Sequence, residues 1–387
     1  MQFIDLAAQQ ERIRSKIEDR IHEVLNHGKY VMGPEILTFE ESLARFVGVN
    51  YCIGCASGTD ALLMALMEAD VGPGDAVFTT PFTFIATAEV IFLLGATPVF
   101  VDIDPQTFNL DAKHLSLAIQ AYSAQDASMY PLPAHEGPPL TQKAVIPVDL
   151  FGLPCDYDVI NDIARARKML VIEDAAQGLG GLYKGRQAGS LGHVGCTSFF
   201  PAKPLGCYGD GGAVFTNDQE TAEILKSIRG HGQGGNRYDH VRLGLNARLD
   251  TLQAAILLSK LEIFQEEIHL RQYVAEAYTQ RLSQSGTLAT PFIPEGYGSV
   301  WAQYSVLAET SDLRSRIQEA LKDAGIPTAI YYPKPLHLQP AFSNLGYHVG
   351  DFPVSEDASA RIFSLPMHPY LKEKDIDRIC SIILNGI

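Results

Sequence analysis

The segment SFFPAKPLG, residues 198–206, contains one amine, Lys203, between aromatic residues and prolines, and the flexible stretch GDGG follows it. Lysine is among the residues that are least often fully buried unless they are paired. Such a lysine is either a surface residue whose carbon stem lies along apolar neighbours, or a catalytic amine whose pKa is lowered by loss of water, so that it acts as a nucleophile. The surrounding sequence must decide between these two interpretations.

A second candidate, SGTDA at residues 57–61, follows a strand-like run and opens a helical pattern. The N–H groups and the dipole at the start of a helix suit a phosphate, and Gly58 lets the backbone approach it closely. The same pattern is also typical of an ordinary helix start, with Thr59 as the N-cap residue. Ser198 is a further hydroxyl, five residues before Lys203.

A third group of residues suits a planar ring. Asp174 follows the apolar run LVIE, and its carboxylate either caps the next turn or pairs with a cationic ring nitrogen. Gln177 lies about one turn further along the chain. Phe82 and Phe84, in PFTF, end another predicted strand, where an aromatic side chain could stack on the ring. In an open parallel sheet, ligands bind beyond the carboxyl ends of the strands.

These residue types together suit pyridoxal 5′-phosphate, because it carries a phosphate, a ring nitrogen that accepts a proton and an aldehyde. Lys203 would form the Schiff base with the aldehyde, and Asp174 would keep the ring nitrogen protonated, so that the ring acts as an electron sink. This hypothesis explains the amine in an apolar segment, since only a neutral amine forms and exchanges imines.

The composition excludes several other classes of protein. The chain has 387 residues, of which 46% are hydrophobic and 19% charged, an ordinary globular balance in a chain long enough for two domains. The net charge of −15 argues against nucleic-acid binding. The first residues lack an apolar signal core, and the longest apolar run, residues 90–101, is too short to span a membrane. We therefore expect a cytoplasmic protein that binds neither nucleic acid nor membranes.

Six cysteines are scattered along the chain, and two of them, Cys52 and Cys55, form a C-x-x-C inside a strand-like segment. A second pair with metal-ligand spacing does not accompany them. We therefore predict buried apolar thiols and no metal site.

Short apolar runs alternate with helical patterns from residue 51 onward, which predicts a mostly parallel sheet covered by helices. The predicted strands are YCIGCAS, DAVFTT, TPVFVDI, AVIPVDLFG, MLVIEDAA, CTSFFP and GGAVFTN. The proline-rich stretch 121–143 is predicted to be a surface excursion, and 230–240 either a disordered loop or a mobile loop near a ligand.

From residue 250 a long helical pattern leads into a smaller α/β region. In that region we predict a strand at VWAQYSVLA, a helix over 312–324, a strand at TAIYYP and a last helix from about 372. The predicted fold class is therefore α/β, with a large, mostly parallel sheet domain sandwiched by helices over 1–249 and a smaller C-terminal α/β domain over 250–387.

Several longer motifs carry a family likeness: GTDALLMAL, PFTFIATAE, VFVDIDPQTFNLD, VIEDAAQGLGGLYKGRQAGSLG, CTSFFPAKPLGCYGDGGAVFTND, GLNARLDTLQAAIL and SLPMHPYL. In this order, across nearly the whole chain, they resemble the DegT/DnrJ/EryC1/StrS sugar aminotransferases, a branch of the fold type I pyridoxal-phosphate transferases. Within that family the motifs are most similar to enzymes that place an amine from L-glutamate at C3 of a UDP-linked 2-acetamido-3-keto uronic acid, in bacterial surface-polysaccharide synthesis.

The resemblance implies a role at each matching position. Lys203 corresponds to the Schiff-base lysine, which also shuttles the proton while the cofactor alternates with its pyridoxamine form, and Asp174 faces the pyridine nitrogen. Contacts to the ring and phosphate are implied for Phe84, Gln177, Gly58, Thr59 and Ser198, and for Asn246, which would reach the phosphate in the neighbouring subunit of a homodimer. Contacts to the sugar nucleotide are implied for Arg229, Arg248, Tyr331 and Tyr332.

Cations in the expected site region support a sugar nucleotide as substrate in an otherwise acidic chain. They are Arg229, His231, Arg237, Arg248, Lys334 and His337. A diphosphate needs such donors, and a uronate needs one more, for which the planar fork of Arg248 is the candidate. Tyr331 stands where the most similar enzymes carry histidine, so this position offers the sugar a neutral donor in place of a possible cation.

Four alternatives remain beside the leading hypothesis. The motif YYPKPLHLQPAF also resembles aminotransferases for dTDP-3-keto-6-deoxyhexoses. A sugar dehydratase on the same fold would replace Lys203 with histidine, so this lysine argues against it. A non-catalytic regulatory protein would not need Lys203 and Asp174 together. A Rossmann dehydrogenase is disfavoured because GLGGLYKG precedes no helical pattern.

Overall fold

The computed structural model describes residues 1–135, 137–236 and 238–386. Its α-helices are α1 (Leu6–His27), α2 (Pro34–Val47), α3 (Gly58–Glu68), α4 (Ala86–Leu93), α5 (Ala112–Ala124), α6 (Tyr157–Ala166), α7 (Gln219–Arg229), α8 (Thr251–Leu282), α9 (Ser311–Asp323), α10 (Pro353–Arg361) and α11 (Glu373–Asn385). Its strands are β1 (Tyr51–Cys55), β2 (Asp75–Thr79), β3 (Thr97–Phe100), β4 (Thr141–Ile146), β5 (Leu170–Asp174), β6 (Leu182–Tyr183), β7 (Arg186–Gln187), β8 (Val194–Ser198), β9 (Gly212–Thr216), β10 (Leu288–Ala289), β11 (Tyr297–Gly298), β12 (Tyr304–Ala308) and β13 (Ile362–Leu365).

Within the described residues, the central sheet has seven strands in the order β1-β9-β8-β5-β4-β2-β3. The strands β8, β5, β4, β2 and β3 pair in parallel, and β9 runs antiparallel to both of its neighbours, β1 and β8. The prediction of a mostly parallel sheet is confirmed. Every strand of the sheet except β9 therefore has its carboxyl end at the same edge, where the candidate residues lie.

Helices cover both faces of the sheet, because successive strand residues point to opposite sides. Ile146 and Ile172 pack with residues of α3 and α7 on one face. Their neighbours Val145 and Val171 pack with residues of α5 and α6 on the other face. Burial on both faces explains why these strands are continuous apolar runs.

Two helices before residue 51, α1 and α2, were not assigned in the sequence analysis. Gly28 and Gly48 follow them in the left-handed region, at φ 66° and 81°, where glycine carries no steric penalty. Phe39 and Leu43 of α2 pack with Leu257 of α8. The amino-terminal half of α8 thus belongs to the core that α2 covers.

The carboxyl-terminal half of α8 belongs to a different core. Val274 and Tyr278 pack with residues of β12, β13, α9 and α11, among them Tyr304 and Ile379. The separate core supports the proposed C-terminal domain over 250–387, although α8 itself links it to the larger part. The boundary at 249/250 stays a prediction.

Two local predictions differ from the structure. Thr59 is not the N-cap of α3, because Ser57 is, and the Ser57 hydroxyl accepts a hydrogen bond from the Asp60 amide at 3.0 Å. TAIYYP does not form a strand beyond one bridge, in which Ala329 pairs with Ser364. A stretch of β-branched and aromatic residues can also pack as an irregular loop when a site rather than a sheet surrounds it.

The excursion at 121–143 packs back onto the protein. Its first residues complete α5, and the buried hydroxyl of Tyr130 accepts a hydrogen bond from the Asp102 amide at 2.8 Å. The Ala134 amide then donates to the Leu345 carbonyl at 2.7 Å. The excursion is therefore part of the large core and not a boundary between domains.

All six cysteines are buried and free, which confirms the prediction of buried thiols. In the part of the chain that the structure describes, no helix is both long enough and apolar enough to cross a membrane.

Candidate active site

The phosphate-binding candidates meet where β1 and β8 end. A Cβ atom on Gly58 would lie 2.6 Å from the Cβ of Ser198, so only glycine fits beside this serine. Gly58 and Thr59 are the first residues of α3, and the first N–H groups of a helix have no partner within it. The start of α3 and the Ser198 hydroxyl therefore form a donor set that suits a phosphate.

Asp174 ends β5 and is buried, with 5% of its surface exposed. Its Oδ2 accepts a hydrogen bond from the Thr87 hydroxyl at 2.9 Å, and its Oδ1 accepts one from the Ala176 amide at 3.1 Å. Burial raises the pKa of the Asp174 carboxyl, and these two hydrogen bonds and the charge of Lys203 oppose that effect. A cationic ring nitrogen beside the carboxyl would complete this environment.

Lys203 lies in the loop that joins β8 to β9, residues 199–211, which we call the Lys203 loop. Its amide donates to the Phe200 carbonyl at 2.8 Å, which fixes the backbone. The side-chain amine makes no hydrogen bond with any residue that the structure describes, and burial lowers its pKa, against the opposing effect of Asp174. Because β5 pairs in parallel with β8, the Lys203 loop follows the strand next to Asp174. The lowered pKa of Lys203 favours the interpretation as a nucleophilic amine over that of a solvated surface lysine.

Burial distinguishes the two phenylalanines of PFTF. Phe82 is fully buried, and its ring packs against Phe108 and Tyr332 at centroid distances of 6.3 and 6.2 Å. Phe84, just before α4, is 56% exposed. Phe84 is therefore the one available to stack on a ligand, and Phe82 belongs to the core.

Gln177 connects two loops at the site. Its Oε1 accepts a hydrogen bond from the Phe151 amide at 2.9 Å, and its Nε2 donates to the Tyr332 hydroxyl at 3.2 Å. Burial raises the pKa of Tyr332, so its hydroxyl stays neutral. Tyr331 packs against Phe3, with 6.4 Å between ring centroids. The structure thus brings together two of the candidates, Gln177 and Tyr332. The third, Tyr331, is the neighbour of Tyr332 in sequence.

The segment that carries Asn246 and Arg248 runs along the end of β1. Arg248 pairs with Cys55 in an isolated bridge, and the Ala56 amide donates to the Ala247 carbonyl at 3.1 Å. Asn246 is exposed and Arg248 is half-buried. Arg248 thus lies on a segment adjacent to the phosphate candidates, and Asn246 lies on the same segment with its side chain exposed.

Arg229 is not placed as the sequence analysis expected. It is buried at the end of α7, where its guanidinium forms an ion pair with Glu40 of α2 and donates to the Gly54 carbonyl at 2.8 Å. A guanidinium that is desolvated and paired in this way is a structural group, and this placement disfavours a contact with the sugar nucleotide.

The other cations that were expected at the site do not form a cluster of donors in the described residues. His337 is buried and lies 3.0 Å from a carboxylate oxygen of Glu356, and burial lowers its pKa. His231 and Lys334 are exposed. Arg237 lies outside the described residues. Arg248 is thus the cation with the best-supported position at the site.

Thr87 is a site residue that the sequence analysis missed. It lies three residues after Phe84, on α4, and its hydroxyl also lies 3.1 Å from that of Thr83. Its position in the first turn of the helix that follows the strand end PFTF could have identified it, because ligands bind at this edge of a parallel sheet. One helix start therefore positions both the exposed ring of Phe84 and the donor to Asp174.

The sequence of this chain was compared with models of known protein families. The model of the DegT/DnrJ/EryC1/StrS aminotransferase family matches residues 11–384. This chain belongs to the DegT/DnrJ/EryC1/StrS aminotransferase family. A relative from Pseudomonas aeruginosa, the UDP-2-acetamido-2-deoxy-3-oxo-D-glucuronate aminotransferase, is 51% identical over 385 residues, which cover 100% of both chains. The chain is thus an aminotransferase, and the predicted family is confirmed.

Solved structures of similar sequence share the fold of this chain. The crystal structure of a DegT DnrJ EryC1 StrS aminotransferase from Brucella abortus has a TM-score of 0.93 and 48% identity, and the match covers 99% of this chain and 98% of that one. NtdA from Bacillus subtilis, with the bound cofactor PMP, has a TM-score of 0.85 and 28% identity, over 99% of this chain and 83% of that one. The predicted fold type is confirmed.

Proposed function

We propose that this aminotransferase moves an amino group from L-glutamate to C3 of a UDP-linked 2-acetamido-3-keto uronic acid, with pyridoxal 5′-phosphate as its cofactor. The observation that carries the proposal is the position of the buried Asp174 carboxyl at the end of β5, beside β8 and the Lys203 loop that follows β8. Burial lowers the pKa of the Lys203 amine in that loop, as this reaction needs. The name of the 51% identical relative supports the choice of sugar nucleotide. Such an enzyme uses metabolites of the cytoplasm, which is the location we propose.

The residues of the site fit this cofactor. Gly58, Thr59 and Ser198 would hold the phosphate, since a Cβ on Gly58 would fill the space beside Ser198. The Asp174 carboxylate would pair with the protonated ring nitrogen of the cofactor. The Lys203 amine would bind at the carbonyl carbon of the cofactor. When bound, pyridoxal 5′-phosphate supplies an electrophilic carbonyl carbon and a ring that withdraws electrons from the carbon that is aminated.

Each residue of the chain has its own task in the transfer. The Asp174 carboxylate holds a proton on the ring nitrogen, and Thr87 stabilises the ionised form of that carboxylate. The Lys203 amine would act as the base that takes the proton from the α-carbon of the amino donor and as the acid that returns a proton, and a pKa below the ordinary lysine value suits this role. Phe84 would cover one face of the cofactor ring. Gln177 holds the hydroxyl of Tyr332 by a hydrogen bond.

Arg248 is the proposed partner of the uronate carboxylate. It is half-buried beside the end of β1, and its planar fork can bind a carboxylate through two parallel hydrogen bonds. Tyr331 offers a neutral donor to the sugar. An aminotransferase for a dTDP-3-keto-6-deoxyhexose is the second candidate, because that sugar needs no cation at this position.

We further propose a homodimer in which Asn246 completes the partner's phosphate site. In the single chain, large apolar side chains are exposed on the segment before Asn246 and in the Lys203 loop, at Leu243 (89%), Val241 (56%) and Phe200 (52%). Exposed apolar residues gathered near a functional site are typical of a protein interface. Mixing Lys203→Ala and Asn246→Ala chains should restore activity, because one of the two sites in each mixed dimer is then intact. Full activity of a strictly monomeric species would contradict the dimer.

The experiment for the reaction has two parts. Borohydride reduction with pyridoxal 5′-phosphate, followed by peptide mapping, should label Lys203, and a label on any other lysine contradicts the assignment. The pyridoxamine form is then offered a panel of UDP- and dTDP-linked keto sugars, with products identified by mass spectrometry.

Arg248→Leu separates the two sugar classes. Loss of a charge-assisted hydrogen bond should lower kcat/KM for the uronate about ten- to a hundredfold and change it little for the 6-deoxy sugar. Arg45→Leu is the control, since Arg45 is an exposed arginine on α2. Equal losses for both sugars, or a wild-type preference for the 6-deoxy sugar, would overturn the uronate assignment.

A further inference from the structure

A second lysine, Lys260 of α8, is buried more completely than Lys203, with 1% of its surface exposed. Its Nζ donates a hydrogen bond to the Gly206 carbonyl at 2.6 Å and lies 4.4 Å from the ring centroid of Tyr208. Among the described residues, no carboxylate forms a salt bridge with it. The proposed reaction has no use for this amine.

Burial of this amine is costly. An ammonium has three donors, and one hydrogen bond and one ring contact satisfy them incompletely. Burial accordingly lowers the pKa of Lys260 to about 8. An apolar residue would fill the same space without the cost of burying a charge. What lysine provides here, and an apolar residue cannot, is the hydrogen bond to the Gly206 carbonyl.

The acceptor of this hydrogen bond lies in the Lys203 loop. The loop closes on itself, because the Phe199 amide donates to the Gly211 carbonyl at 2.7 Å and the Cys207 amide to the Phe199 carbonyl at 2.8 Å. Gly206 is tightly packed inside it, and a Cβ there would lie 2.5 Å from the Pro201 carbonyl oxygen. A displacement of Gly206 is therefore transmitted to the residues around Lys203.

The helix α8 holds the Lys203 loop at a second point. Gln253 accepts a hydrogen bond from the Tyr208 amide at 2.8 Å through its Oε1. Gln253 and Lys260 are seven residues apart, so they lie on one face of the helix. This face holds the loop at Gly206 and Tyr208, on the carboxyl side of Lys203.

We propose that Lys260 is a positioning residue for Lys203: its hydrogen bond to Gly206 fixes the loop so that the Lys203 amine stays near Asp174. The inference rests on the proposed function of Lys203, although the anchoring itself can be tested without cofactor.

The test compares the wild-type protein with three variants. Lys260→Met removes the ammonium and keeps a side chain of similar length, and Lys260→Arg keeps a charged donor. Lys226→Met is the matched control, because Lys226 also lies over a tyrosine ring, Tyr51 at 5.9 Å, but is exposed on α7.

The first measurement is hydrogen exchange of the cofactor-free protein, followed by mass spectrometry. Loss of the anchor should make peptides within 199–211 exchange about tenfold faster in Lys260→Met. Lys226→Met should match the wild type, and Lys260→Arg should return toward it. Should Lys260→Met fail to fold, Tyr208→Leu, which removes the ring beneath the ammonium, takes its place with the same expected direction.

The second measurement is steady-state kinetics with the cofactor bound. Lys260→Met should lower kcat about tenfold and leave KM for both substrates unchanged, since the loop carries Lys203 and not the substrate contacts. Loop exchange equal to the wild type, or a fall in kcat that Lys260→Arg does not reverse, would overturn the proposal. A wild-type protein that takes no borohydride label at Lys203 would instead end the proposed function, and the exchange measurement would still decide the anchoring.

Discussion

The Thr87 hydroxyl donates to Asp174 at 2.9 Å, so each carboxylate oxygen of Asp174 has one donor, Thr87 on one side and the Ala176 amide on the other. Hydrogen bonds to the ionised form of a carboxyl lower its pKa. In this site they oppose the effect of burial, which raises it. Thr87 therefore helps to keep Asp174 ionised.

Thr87→Val tests this relationship, because valine keeps the shape and removes the donor. We expect a fall in kcat of about tenfold, as one hydrogen bond to a charged group is lost. The absorption spectrum of the bound cofactor, followed against pH, should show a lower pKa for its ring nitrogen. Thr87→Ser retains the hydroxyl and should behave as the wild type; if it loses as much activity as Thr87→Val, the hydrogen bond is not the cause.

Lys203→Met should stabilise the cofactor-free protein. Burial puts the folded-state pKa of Lys203 below 10.5, its ordinary value, so between these two values the unfolded chain binds more protons and the wild type gains stability as pH rises. The variant lacks this group and should be more stable by about 0.5–2 kcal/mol at pH 7. The difference should shrink as pH approaches 10.5. Denaturant unfolding at several pH values measures it, and a pH-independent difference would refute the argument.

Phe84 and Phe82 should give opposite results. Phe84→Ala should leave the free energy of unfolding nearly unchanged, since its ring is 56% exposed, and should weaken cofactor binding by about 1–2 kcal/mol. Phe82→Ala should cost about 3–5 kcal/mol of stability, because its ring is fully buried. Chemical denaturation and equilibrium dialysis with the cofactor separate the two effects.

Gly58→Ala should weaken cofactor binding, because the new Cβ would lie 2.6 Å from the Cβ of Ser198, so that the start of α3 or the end of β8 must move. We expect the dissociation constant for pyridoxal 5′-phosphate to rise at least tenfold, about 1.4 kcal/mol. Gly72→Ala is the matched control, since the nearest atom to a Cβ there is 3.9 Å away. Equal affinity in the two variants would show that the close approach has no role in binding.

Arg229→Met should destabilise the protein without a specific effect on the sugar nucleotide. It leaves the Glu40 carboxylate buried and unpaired, which costs about 3–5 kcal/mol. Glu40→Met combined with Arg229→Met should recover much of this loss. Urea unfolding gives the energies, and a raised KM for the sugar nucleotide at unchanged stability would return Arg229 to the substrate site.

The sequence predicted the central sheet, and it predicted the candidates Lys203 and Asp174 at the ends of neighbouring strands, because both depend on local patterns. Apolar runs define the strands, and a parallel sheet places their carboxyl ends together. The placement of Arg229 could not be predicted, because its partner Glu40 lies on a helix distant in sequence, and a charged side chain next to a glycine-rich loop looks exposed. The burial of Lys260 could not be predicted either, since helical periodicity does not reveal which lysine of a long helix is buried.

The pairing of β1 with β9 sets an order on folding. The Asn50 amide bonds to the Asn217 side chain, 167 residues further along the chain, at the start of the same ladder. Contacts so distant in sequence form slowly and late, because the intervening chain must first be ordered. A nascent chain that has not yet passed β9 therefore holds β1 without its neighbouring strand in the sheet. Synthesis of this protein thus includes an interval in which its first strand is exposed to association with other chains.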